Sequence, residues 1–146
     1  MNLFGVLDIS GSALTAERER AEIATSNLAN ADTTSTPEGG PYKRVQVVFA
    51  ATHPQLTSFS NALASISDLQ AQGVRVNGVV PDSTPAVRRY DPGNPEADAQ
   101  GYVSYPNVNP SEEMVDLMGA ARSYDLNVSA IQATKSMIES SIDILR

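Results

Sequence analysis

The 146-residue sequence contains no cysteine, no tryptophan and a single histidine. The lack of cysteine excludes disulfide scaffolds, thiolate metal sites and cysteine nucleophiles. Basic residues are also few, since 10 Lys and Arg stand against 17 Asp and Glu and give a net charge of −7. Nucleic acid binding and docking on anionic membranes both need a cationic surface, so we expect neither.

Long apolar runs are missing too, because no stretch approaches the roughly 20 apolar residues of a membrane span. At the N-terminus, no basic residue precedes the short apolar run at 3–7, and Asp8 interrupts it. A cleaved secretory signal would show both a basic segment and a longer apolar one. We therefore expect a chain without direct membrane insertion, which is soluble or is exported without a cleaved signal peptide.

Helix breakers are concentrated in the middle of the chain. All nine prolines lie between Pro37 and Pro110, and six of the nine glycines lie between Gly39 and Gly101. The sequence therefore predicts an α+β fold in which long N- and C-terminal helices pack as a coiled-coil-like pair around a small central β-rich region. The predicted parts are an N-terminal helix at 1–32, a β-rich region at 33–109 with a loop at 51–72, and a C-terminal helix at 110–146.

The C-terminal segment has the strongest helical pattern. Asn109 is a good N-cap, Pro110 suits the first helical position, and Glu112 stands where a capping box places its acidic residue. A heptad repeat follows, with one polar interruption. Its positions are Met114, Leu117, Ala121, Tyr124, Val128, Ile131, Lys135, Ile138, Ile142 and Leu145.

The central region predicts four short strands, at 42–49, 74–80, 86–90 and 101–105. The second strand is interrupted near Asn77 and Gly78 by a turn or a bulge. Four such strands are too few for an independent sandwich, so we expect one small sheet or a pair of hairpins with one face buried against the helices.

The length of the C-terminal helix raises the question of what covers its apolar stripe. Residues 110–145 would extend about 54 Å, against about 43 Å for residues 3–31. The overhang favours assembly with other subunits, while an ordinary intramolecular hairpin explains the periodicity equally well. In an assembly, we expect the contacts to be made by Leu7, Leu14, Leu28, Leu117, Tyr124, Val128, Ile131, Ile138 and Ile142.

No catalytic, cofactor or metal site is predicted. His53 has no marked nucleophile nearby, and the acidic segment from Asp91 to Asp98 lacks the glycine and final carboxylate of a calcium loop. The carboxylates of Glu112, Glu113 and Asp116 are interpreted as helix capping and compensation of the helix dipole. Three asparagines are candidates for turns and caps, namely Asn27, Asn30 and Asn109.

Two segments carry a specific family resemblance. The run ATSNLANAD at 24–32 resembles the N-terminal signature of bacterial flagellar rod and hook axial proteins. The run YDPGNPEADAQGYV at 90–103, followed by YPNVN at 105–109, resembles the flagellar basal-body rod proteins of the C type, which are components of the proximal rod.

The resemblance implies a structural subunit that leaves the cytoplasm unfolded through the flagellar export channel and assembles in the periplasm. Its terminal helices would pack into a hollow rod that transmits torque, with the β-rich region outside. The implied partners are copies of itself, the other proximal and distal rod proteins, the hook–basal-body adaptor and the surrounding ring. The alternatives are a soluble coiled-coil adaptor and a peptidoglycan hydrolase that uses Glu96 or Asp98.

Overall fold

The computed structural model describes residues 3–52 and 73–144. The helix α1 spans Leu3–Ala29 and the helix α2 spans Pro110–Ile144. Between them, the described residues form four strands. The strand bounds are Val45–Ala51 for β1, Val74–Pro81 for β2, Val87–Tyr90 for β3 and Tyr102–Tyr105 for β4.

The predicted α+β fold is confirmed, because two long helices flank a small region of antiparallel strands. Of the loop predicted at 51–72, Ala51 belongs to β1, and residues 53–72, with His53, lie outside the described residues. Neither helix in the described part of the chain is long and apolar enough to cross a membrane.

The helices α1 and α2 pack along each other in antiparallel directions, since Arg20 contacts Asp116 while Asn27, further along α1, contacts Glu113. Small and polar side chains fill the line of closest contact, which lets the two backbones approach. The most buried residues on the two helices are Ser10, Ala16, Ala24, Asn27, Glu113, Ala120 and Thr134.

The heptad repeat of α2 is present, but its buried position lies one residue earlier than predicted. Glu113, Ala120 and Thr134 are buried, whereas their neighbours Met114, Ala121 and Lys135 are exposed. A seam of small residues leaves large apolar side chains at its margins, where α1 covers them only in part.

The helix α2 is the longer of the two, with 35 residues against 27 in α1. Because the contact of Arg20 with Asp116 fixes the register, the last two to three turns of α2 pass beyond the start of α1. Met137 and Ile142 lie in this overhang and are 51% and 60% exposed.

The hairpin β1–β2 lies along α1 and is attached to it at both ends. The backbone N–H of Val74 donates to Ser12 Oγ at 3.0 Å, and the backbone N–H of Val45 donates to Asn27 Oδ1 at 3.0 Å. The 15 residues of helix between those two anchors cover about 23 Å, close to the length of an eight-residue strand. The hairpin therefore fits the helix without overhang.

The predicted irregularity near Asn77 is a β-bulge. Val48 pairs with Gly78 and Phe49 pairs with Val76, so Asn77 has no partner in the register. One strand thereby carries an additional residue at this point, which increases the local twist of the hairpin.

The second hairpin, β3–β4, is closed by a tightly bonded loop. Asp98 accepts hydrogen bonds from the backbone N–H groups of Gln100 and Tyr102, both at 2.9 Å, and pairs with Arg88. Gly101 has a φ of 81°, and an added Cβ would lie 2.8 Å from the Tyr90 ring. A glycine is therefore required at this turn.

The Asp98 carboxylate is expected to make the β3–β4 loop sensitive to acid. The N–H of Tyr102, then that of Gln100 and the Arg88 guanidinium, hold the pKa of Asp98 below its usual value near 3.9. Since the folded pKa is lowered, the stabilisation is present above the unfolded pKa and is lost as pH falls through the folded one. The amide chemical shifts of Gln100 and Tyr102 should move in this acidic range.

The variant Asp98→Asn is the matched control for that titration, because asparagine keeps one acceptor oxygen and cannot titrate. Its amide shifts at Gln100 and Tyr102 are expected to stay constant over the same range. If the amide shifts of Gln100 and Tyr102 in the wild-type protein also stayed constant over this range, the role assigned to Asp98 would be contradicted.

Candidate assembly surface

The nine residues predicted to form subunit contacts divide into two groups by exposure. Tyr124 and Ile142 are exposed, at 40% and 60%. The other seven are half-buried: Leu7, Leu14, Leu28, Leu117, Val128, Ile131 and Ile138. The pairing of α1 with α2 therefore buries none of these nine side chains completely. Their role in subunit contacts stays a prediction.

A second apolar surface lies on the side of α2 that faces away from α1. Met114, Val115, Met118 and Leu126 are between 54% and 71% exposed, and we call these four residues the outer α2 surface. The heptad repeat included only Met114 of these four, and none of them was among the nine predicted contact residues. The pair at 114–115 followed by Met118 is a second apolar stripe that could have identified it. Exposed apolar patches of this kind mark protein contacts.

A polar cluster joins α1 to α2 near the C-terminal end of α1, where β1 begins. Asn27, 2% exposed, donates through Nδ2 to the Val45 carbonyl at 2.8 Å and to Glu113 Oε2 at 2.9 Å. Its Oδ1 accepts from the N–H of Val45 and from the Tyr42 hydroxyl, both at 3.0 Å. The amide thus uses its full hydrogen-bonding capacity. We call Asn27, Tyr42, Arg44 and Glu113 the anchor cluster.

The anchor cluster contains an ion pair between Arg44 and Glu113, and the Glu113 side chain is only 2% exposed. Its Oε1 accepts from Arg44 Nε at 2.5 Å, and this hydrogen bond is the main reason that the pKa of Arg44 lies above its usual value. Because a buried charge without a partner is costly, the pair holds α2 against the residue that precedes β1. Arg20 adds a link at the margin by donating to Asp116 Oδ1 at 3.0 Å.

The prediction that capping accounts fully for the acidic residues at the start of α2 is wrong for Glu113. Glu112 is the exposed partner of the N-cap, since Asn109 Nδ2 donates to Glu112 Oε1 at 3.1 Å. Glu113 turns the other way, towards α1, where Asn27 and Arg44 satisfy it.

Asn27 was predicted to serve a turn or a cap, and it joins three elements instead. The sequence feature that could have indicated this role is a polar residue at a seam position on each helix. Asn27 lies three residues after Ala24, and Glu113 lies seven before Ala120. Their pairing across 86 residues of sequence could not be deduced from one chain.

The acidic residues of the β3–β4 loop serve its own structure. Asp91 Oδ2 accepts from the Tyr105 hydroxyl at 3.2 Å, and Asp98 binds backbone N–H groups. Across residues 3–52 and 73–144, no group of three His, Cys, Asp or Glu side chains could hold a metal ion.

Comparison with known proteins gives two family matches. The model described as "Flagella basal body rod protein" matches residues 7–35, and the model described as "Flagellar basal body rod FlgEFG protein C-terminal" matches residues 99–144. The first covers most of α1, and the second covers β4 and α2. Both matches therefore fall largely on the two helices and leave most of the central region uncovered.

Curated relatives extend the likeness to the whole chain. The flagellar basal-body rod protein FlgC of Bacillus subtilis is 41% identical over 148 residues, which cover 99% of each chain. The protein of the same name from Borreliella burgdorferi is 38% identical over 154 residues, which cover 100% of this chain and 99% of the relative. The one from Escherichia coli O6:H1 is 44% identical over 138 residues, or 94% of each.

These relatives agree with the family resemblance of the segments at 24–32 and 90–109. They do not favour the alternative of a coiled-coil adaptor. The chain belongs to the FlgC family of flagellar basal-body rod proteins.

Proposed function

We propose that this structural rod subunit polymerises through α1 and α2 into the proximal part of the rod, a hollow shaft that transmits torque and conducts exported subunits. The observation that carries the proposal is the apolar surface left over after the two helices have paired. In the described residues, the buried hydrophobic side chains are only Ala16, Ala24, Val103 and Ala120, while large apolar residues of α2 stay exposed.

Contacts through the outer α2 surface would favour association. Burying one fully exposed large apolar side chain contributes about 1.5–3 kcal/mol. Scaled by their exposure of 54–71%, the four residues would together contribute about 4–8 kcal/mol, which is comparable with the lower estimates of the cost of bringing two chains together, about 4 kcal/mol. We propose that the nine predicted contact residues contribute from the margins of the seam.

The partners we propose are copies of the chain, the other proximal and distal rod proteins, the hook–basal-body adaptor and the surrounding ring. We further propose a periplasmic rod location reached without a cleaved signal peptide. No enzymatic activity is proposed. Asp98, one of the two carboxylates considered for a hydrolase, binds its own loop and Arg88.

Hydrogen exchange on the dilute subunit tests the link between order and assembly. Helices with little buried apolar surface gain their stability from packing, so we expect graded protection. The amides around the anchor cluster, near Asn27 and Glu113, should be protected. Those of 3–10 and 137–144, at the far end, should exchange freely and become protected in the assembled rod.

Strong amide protection at both ends of the α1–α2 pair in dilute solution would contradict this coupling. Sedimentation of the same sample separates the alternatives, since a coiled-coil adaptor would form a stable dimer or trimer by itself.

The location is tested by averaged images of purified basal bodies. Cells in which this chain is deleted should lack the rod, and restoring the wild-type chain should restore it. Antibody labelling of the chain should mark the base of the rod. Label confined to the distal rod or hook would overturn the proximal assignment.

A further inference from the structure

The β-bulge of the first hairpin contains the only Asn-Gly pair in the chain, formed by Asn77 and Gly78. The proposed function does not use it. Asn77 is exposed, and no residue of β1 stands opposite it. A Cβ added to Gly78 would meet nothing within 4 Å, so the surroundings of the following amide are open.

An asparagine followed by glycine can modify itself. The backbone nitrogen of the glycine attacks the side-chain Cγ of the asparagine, a new C–N bond forms, and the side-chain nitrogen leaves as ammonia. Water then opens the five-membered imide at either carbonyl and gives aspartate or isoaspartate. The only co-reactant is water. Glycine favours the ring closure because it has no side chain to obstruct it.

A regular strand opposes this reaction, since cross-strand bonds on both sides hold the backbone extended. At a bulge the additional residue is unpaired and the ladder is locally disrupted. Opening one residue there breaks less structure than opening it within a continuous ladder. We propose that Asn77 is a site of spontaneous deamidation and isoaspartate formation in the folded protein.

The isoaspartyl product would disturb the fit of the hairpin to α1. It inserts one carbon into the main chain of β2 and adds one negative charge. The hairpin is held at Ser12 through Val74 and at Asn27 through Val45, so the additional length has to be taken up between the two anchors. The pairing of β1 with Val74–Val76 is therefore expected to weaken.

Peptide mass spectrometry on the full-length protein, incubated in mildly alkaline buffer, tests the proposal. The peptide that contains Asn77 should convert progressively to the acid form, and isoaspartate methyltransferase should label it. Asn107, which is exposed and followed by valine, is the internal control and should stay unchanged. The variant Gly78→Ala has room for its methyl group, and its conversion at Asn77 should be several-fold slower.

The same time course in urea separates chemistry from structure. Conversion in the folded protein is expected within a few-fold of that in the unfolded chain. Conversion only in urea would overturn the proposal, because it would mean that the hairpin protects Asn77. Equal rates in wild type and Gly78→Ala would overturn the imide route.

Discussion

Replacing Glu113 with alanine is expected to lower the free energy of unfolding of the subunit by about 3 kcal/mol, the lower end for breaking a buried ion pair. The lower end applies because Arg44 stays 19% exposed and lies 3.7 Å from Asp116, so it does not lose every partner. Asn27 would also lose one acceptor. In a subunit with so few buried apolar residues, the loss could remove the folded baseline at 37 °C in urea titrations followed by circular dichroism.

Two matched variants show whether position or charge is responsible. Glu113→Gln keeps the shape and one acceptor oxygen, so it should cost less than the alanine variant. Glu112→Ala removes the exposed neighbour that bonds the N-cap and should cost only about 0.5–1 kcal/mol. Similar losses at 112 and 113 would show that the anchor cluster contributes little to stability.

Replacing Leu126 with glutamate is expected to abolish swimming and to leave basal bodies without a rod. The side chain is 64% exposed in the subunit, so the substitution buries no charge and creates no cavity there. Leucine and glutamate have similar helix propensities, so α2 should form equally well. In the assembled rod, however, the same position would place a charge in an apolar contact. Soft-agar motility and electron microscopy of basal bodies measure the effect.

The control is Leu126→Met, which conserves volume and hydrophobicity and should keep near-normal motility. The circular dichroism of both variants should match the wild type. A motile Leu126→Glu strain would remove this residue from the assembly surface. Leu126→Glu tests subunit contacts more specifically than a charged variant of half-buried Ile131, because a charge at Ile131 would also disturb the pairing of α1 with α2.

The features of the fold that depend on residues close together in the sequence could be predicted. The confinement of proline to 37–110 located both helices, and Asn109 with Pro110 located the start of α2 to the residue. The pair at 77–78 located the bulge, because glycine and asparagine weaken a strand. Each of these signals acts within a few residues, where local stereochemistry decides.

The residues of the seam and of the anchor cluster could not be predicted in the same way. A heptad pattern shows which residues repeat, but the size of the side chains on the opposite helix decides which position is buried. Here the buried positions of α1 include Ser10, Ala16 and Ala24, and on α2 the small Ala120 is buried while larger neighbours remain at its margin. The link from Asn27 to Glu113 depends on a tertiary contact that no local pattern encodes.

The overhang of α2 gives the subunit a direction. The end with the anchor cluster is polar and attached to β1, while at the opposite end α2 extends beyond the start of α1 and exposes Met137 and Ile142. In copies stacked end to end, the polar end of one subunit would contact the apolar overhang of the next. A filament built from such units would therefore be polar, with the anchor-cluster end of a subunit exposed at one terminus and the α2 overhang exposed at the other.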